Sequence, residues 1–168
     1  MASPNLQEQQ GTFARADTAT IKRPVLSGAQ TLTIAQSGAM VLFNTAAGYT
    51  ITLPAPNANG NDVGTWFEFL HTVTNTSVVA KVITDSASTF LLGQIYIASG
   101  GTPGATTGPL GFACDGTTHR AINQGGANTT TGGVIGSRFK VTLVTPTQWF
   151  VEGYLTGTAS VATPVATS

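Results

Sequence analysis

The feature that most constrains this chain is a rhythm: short runs rich in Thr, Val, Ile and aromatic residues, each broken within a few positions by Gly, Pro, Asn or Ser. The runs are strand vocabulary and the breaks are turn vocabulary. Nowhere do Leu, Ala, Glu, Lys and Gln combine into an apolar stripe of about 11 residues, as an amphipathic helix requires. The longest candidate, Ile97 to Gly111, is disqualified by its glycines and proline.

Strands are predicted near Gln30–Ile34, Ala39–Asn44, Tyr49–Leu53, Trp66–Thr72, Val78–Thr84, Gln94–Ile97, Gly111–Asp115, His119–Asn123, Ser137–Thr145 and Gln148–Leu155. Their spacing favours two packed sheets or a closed barrel over any α/β arrangement. Alternation sets the faces. Phe139, Val141 and Leu143 fall on one side of their strand, with Arg138, Lys140 and Thr142 on the other. Phe67 and Phe69 likewise oppose Trp66 and Glu68, and Ile51 and Leu53 oppose Thr50 and Thr52. Pro54-Ala-Pro56 must end its strand, since proline supplies no ladder donor. Thr145-Pro-Thr-Gln148 reads as a tight hairpin connection.

At 168 residues the chain has room for one domain. We expect an extended N-terminal arm over residues 1–24, a β-sandwich body over 25–157 and an extended C-terminal tail over 158–168. The arm carries scattered apolar residues, Phe13, Ile21 and Val25, and reads either as a disordered tail or as a segment ordered on assembly. Two glycine-rich segments, Ser99–Gly111 and Gly125–Gly136, are either mobile or held against a neighbour. The start MASPNLQEQQ has neither the basic residues nor the apolar stretch of a secretory signal, so the mature chain is expected to begin where the sequence does. No run approaches the roughly 18 apolar residues of a membrane-spanning helix.

Only 8% of the residues are charged, against about 25% in an average soluble domain. So few charges suit a surface meant to touch protein. Seven basic and seven acidic side chains cancel, which leaves no electrostatic footprint for nucleic acid. Arg15, Lys22 and Arg23 give the arm a small positive excess, better suited to acidic patches on a protein.

Candidate chemistry is sparse. Asp115-Gly-Thr-Thr-His119 could bring a carboxylate back to an imidazole, but Asp-Gly between apolar runs is more simply a hairpin turn. Cys114 sits in an apolar run without a cationic neighbour, as a small hydrophobe would. His71 continues the alternation of Phe67 and Phe69 and reads as an inward or strand-end histidine. Gly100 to Gly108 has no lysine and no following helix, so it is no phosphate cradle. Scattered acidic residues lack the spacing of a calcium loop. Trp66, Trp149 and Tyr154 are candidates for an aromatic sugar-binding platform, although core packing or subunit contact explains them equally well. We expect no enzymatic activity, metal or cofactor.

The succession LTIAQSGAMVLFNTAAGYTITLPAP, then GTWFEFLHTV, a Gly-rich middle and FKVTLVTPTQWFVEGYLTG resembles the small β-rich decoration, or cement, proteins of tailed-bacteriophage capsids. The resemblance runs from about Leu32 to Gly157. It implies a jelly-roll-like or related β-sandwich that forms a homotrimer. The trimer would bind major capsid protein near three-fold positions on the outer capsid surface, after synthesis in the host cytoplasm. Partners would be itself and capsid protein, with neither nucleic acid nor membrane. Capsid contacts are expected at Phe13, Arg15, Ile21, Lys22 and Arg23. Similar phrases occur in phage fibre modules, so a fibre or receptor- or carbohydrate-binding module is the alternative.

Overall fold

The computed structural model describes residues 23–99, 108–127, 129–158 and 161–168. It is an all-β sandwich of two mixed sheets. The chain enters through β1 (Val25–Ser27) and β2 (Gln30–Thr31), then runs through β3 (Met40–Phe43), β4 (Thr50–Thr52), β5 (Trp66–His71) and β6 (Val79–Ile83). It continues through β7 (Phe90–Ser99), β8 (Leu110–Asp115), β9 (Ala121–Gly125), β10 (Arg138–Thr145), β11 (Gln148–Gly157) and β12 (Val165–Ala166). Seven strands form one sheet in the order β1-β3-β5-β10-β11-β7-β8, and five form the other in the order β12-β9-β6-β4-β2.

From β1 to β7 each strand lies in the opposite sheet from the one before it. The result is a coil in which β1, β3 and β5 pair in parallel on one side, while β2, β4 and β6 do so on the other. Strand β7 also pairs in parallel with β11. These parallel neighbours differ from the antiparallel Greek keys of a jelly roll. Strands β1, β3, β5, β7, β9 and β11 all finish at one end of the sandwich, called here the upper end; the lower end holds the entry at Arg23 and the β10–β11 hairpin.

Period-2 patterning builds the core. Phe67, Phe69, Phe139 and Trp149 project from the large sheet onto Ile51, Val82 and Ile122 of the small one, all of them buried. Phe69 and Phe139 stack with centroids 4.8 Å apart. Phe139 lies opposite Gly153 in the β10–β11 ladder, where an added Cβ would lie 2.3 Å from the Phe139 Cβ.

Several local expectations change. The strand expected to reach Ile34 stops at Thr31, because Gln36 folds back to accept the Thr33 N–H at 2.8 Å and the chain turns through a 3-10 segment at Ile34–Gln36. Strand β7 begins four residues before the expected Gln94, passing through Gly93 at φ +122°, where any Cβ would meet the Val151 carbonyl oxygen at 2.2 Å. Asp115-Gly116 is not a hairpin. It joins the two sheets, with the Asp115 carboxylate accepting the N–H groups of Thr117, Thr118 and His119, so β9 starts only at Ala121.

The C-terminal segment is extended yet held against the body. β12 pairs antiparallel with β9, Arg120 N donates to Ala166 O at 2.8 Å, and Val161 and Val165 pack on the core. The described part of the second glycine-rich segment is also held, through bonds such as Asn75 N to Gly133 O at 2.8 Å. Asn75 itself is wholly buried. Most of the first glycine-rich segment lies outside the described residues, as does Asn128.

Candidate functional site: the outward face of the large sheet

Strand pairing aligns the outward side chains of the large sheet in rows. One row runs Met40, Glu68, Lys140, Glu152, Gln94. Beside it lie Leu70, Arg138, Tyr154 and Tyr96 in one direction, and Trp66, Thr142, Phe150 and Leu92 in the other. Since side chains opposite each other on neighbouring strands lie within contact distance, residues far apart in sequence form one continuous surface. A shallow trough of about 770 Å³ opens over it, lined by Glu68, Arg138, Lys140, Phe150, Glu152 and Tyr154 among others.

The charges on this face are closed on themselves. Glu68 receives Arg23 Nη1 at 2.6 Å on one oxygen and Arg138 Nε at 3.0 Å on the other. Lys140 Nζ stands 4.0 Å from Glu152. Arg23 and Lys140 both lie over the Trp66 ring, 4.8 and 5.1 Å from its centroid, where the ring's electron density attracts cations. Farther across, Tyr96 and Tyr154 stack at 5.7 Å, and the Tyr96 hydroxyl donates to Gln94 Oε1 at 3.0 Å. Tyr154 is 73% exposed, a large aromatic area left in solvent.

Of the expected capsid-contact residues, Phe13, Arg15, Ile21 and Lys22 lie outside the described residues. Arg23 is placed, and its charge is engaged within the chain: besides Glu68 and Trp66, its Nε donates to Gly38 O at 2.8 Å. It roots the N-terminal segment to the lower margin of this face. Of the three candidate platform aromatics, Trp149 is fully buried against Phe67 and presents nothing to a ligand. Trp66 is covered in part by its two cations. Tyr154 is exposed, and its partner is Tyr96, which sequence reasoning missed. The signal was the repeated spacing in Gln94-Ile-Tyr96 and Glu152-Gly-Tyr154, but it takes the β7–β11 register to place those pairs side by side.

The remaining chemical candidates do not converge. Four hydrogen bonds from residues 117–119 hold the Asp115 carboxyl well below the usual carboxylate range, the Thr118 hydroxyl foremost. His119 Nδ1 accepts the Asp115 N–H at 3.2 Å, so in that tautomer the 3.3 Å approach to Asp115 Oδ1 is no ion pair. Cys114 points to the core side, and burial, aided by the Asp115 charge, pushes its thiol up to about 12. Such a thiol stays protonated and unreactive at neutral pH. Among the described residues no three His, Cys, Asp or Glu side chains gather as a metal would require. Comparison with family models, with curated proteins and with solved structures finds no match for this chain.

Proposed function

We propose that this chain is a non-enzymatic virion structural protein that binds the outer surface of a tailed-phage capsid as a homotrimer and stabilises it by bridging major capsid protein subunits. A related β-sandwich, not a jelly roll, is the body assigned to that role. The observation that carries the proposal is the outward face of the large sheet, a rigid surface of aromatics and internally paired charges whose lower margin is also where the N-terminal segment joins the fold. Face and segment can thus engage one partner together. Attachment at several points stabilises far more than one contact alone, because later contacts form between groups already brought together. Near-neutral, self-paired charge also suits a partner surface that is met by shape and aromatic area.

The experiment is retention on purified, undecorated capsids. The chain lacking residues 1–22 and a Phe150→Ser, Tyr154→Ser double variant should each keep the β-rich circular dichroism of the parent and lose most of its capsid occupancy. Full retention by both would overturn the proposal. The Tyr96–Tyr154 pair, with Tyr154 exposed and Tyr96 half-buried, also favours a second reading, a saccharide-binding module of a fibre, since flat aromatic surface stacks on sugar rings. Glycan-array binding that Tyr154→Ser abolishes, with no affinity for capsids, would select that reading.

A further inference from the structure

The two ends of the sandwich differ in charge. The connections at the lower end, with the strand ends beside them, hold Arg23, Asp62, Asp85, Asp115, His119 and Arg120. At the upper end the described connections are residues 28–29, 44–49, 72–78, 108–109, 126–127, 129–137, 158 and 161–164, and they contain no Lys, Arg, Asp, Glu or His. The strand ends beside them add Arg138, which turns onto the outward face and bonds Glu68, and His71, which is buried in the sandwich. In place of charge the upper end offers apolar side chains: Ile135 is 60% exposed and Val78 56%, with Val73 and Val79 also exposed.

This end is also built to hold its shape. Thr76 N and Gly48 N bond to Ala46 O and Val78 O, tying residues 44–48 to 76–78. Ile135 N donates to Thr74 Oγ1 at 3.1 Å. Ala162 N reaches Thr130 O at 2.9 Å, and the hydroxyls of Thr129 and Thr158 meet at 3.0 Å. Loops already fixed to one another lose little freedom when a partner covers them.

We infer that the charge-free upper end is the surface by which copies of this chain join, an inference that rests on the assembly proposed above. Any residue close to a symmetry axis meets its own copies, so a charge there faces the same charge across the axis. Like charges so placed oppose association. Of the two ends, the upper one escapes that penalty while presenting apolar area to bury. The lower end, which carries charge, and the outward face, whose charges are paired, stay free for another partner.

Light scattering of the full chain over a range of concentrations tests this, alongside Val78→Asp and Ile135→Asp, two exposed positions whose substitution spares the core. The parent should have a mass that is a multiple of 17.1 kDa. Either variant should fall to 17.1 kDa with its unfolding midpoint retained. Hydrogen exchange on the unaltered chain gives an independent reading: amides of residues 72–79 and 129–137 should gain protection as concentration rises. An oligomer left intact by both variants, with protection gained instead on β5, β10 and β11, overturns this inference alone. A parent mass of 17.1 kDa at every concentration overturns it together with the proposed assembly.

Discussion

His71 Nε2 lies 2.9 Å from Gln124 Oε1, and this bond crosses the sandwich from β5 to β9. Both side chains are buried, and the imidazole also stacks on Phe43 at 4.7 Å. Gln124 Nε2 has no hydrogen-bond partner among the described residues, and the Val73 backbone lies beside the His71 ring. A polar bridge in such surroundings tolerates a neutral ring and resists a charged one. Burial, opposed in part by the Gln124 bond, lowers the His71 pKa from 6.5 to about 4.

That depression sets a pH dependence. Above pH 6.5 the ring is neutral in both folded and unfolded chains, and its contribution is constant. Below 6.5 the unfolded chain takes up the proton first, so stability falls as pH drops from about 6.5 to 4 and levels off below. The loss is on the order of 3 kcal/mol at about 1.4 kcal/mol per pH unit. Urea unfolding between pH 7.5 and 4 should show it, and His71→Gln should remove this part of the slope; an unaltered slope in that variant would place the titrating group elsewhere.

Gly153 should not accept a side chain. The Cβ of alanine would lie 2.3 Å from Phe139 Cβ and 2.7 Å from Arg138 O, both fixed by the β10–β11 ladder. Gly153→Ala should therefore cost about 1–3 kcal/mol, the usual range for overpacking a filled interior. Denaturant titration would measure the shift in midpoint.

Charges on the outward face should matter little to stability. Arg138 and Lys140 each touch a carboxylate but remain well exposed, at 69% and 41%. Surface pairs of this kind contribute about 0–1 kcal/mol. Arg138→Gln and Lys140→Gln should leave the unfolding free energy within about that margin, as thermal or urea unfolding will report.

Cys114 should be silent in the folded chain. With its thiol pushed up to about 12 and its side chain buried, a disulfide reagent at pH 8 should modify it at the rate of chain opening, not at the rate for a free thiol. Rapid modification of the native protein would contradict its placement.

What the sequence made legible was local. Alternation in Trp66–His71 and Arg138–Thr145 assigned each face correctly, because a buried side leaves a period of two in the residues themselves. Position along the chain says nothing of which strands become neighbours. Hence β7 beside β11, which creates the Tyr96–Tyr154 pair, was beyond reach, as was the burial of Trp149. Short edge strands escaped for another reason. Val25–Ser27 and Val165–Ala166 are too brief to show any period and are extended only because a longer strand offers them a ladder. Gly93, just before the expected start at Gln94, is a close-packing requirement inside β7.

The early strands alternate between the sheets, and that weaving limits how the molecule can come apart. Two sheets made of separate halves of a chain can part like the covers of a book, each surviving briefly alone. Here β1 to β7 are stitched back and forth, so lifting one sheet away drags on a connection at nearly every strand. A half-open state with one sheet intact has no route to form. The sandwich should open in a single all-or-none event, which makes it a unit that either holds under load or fails as a whole.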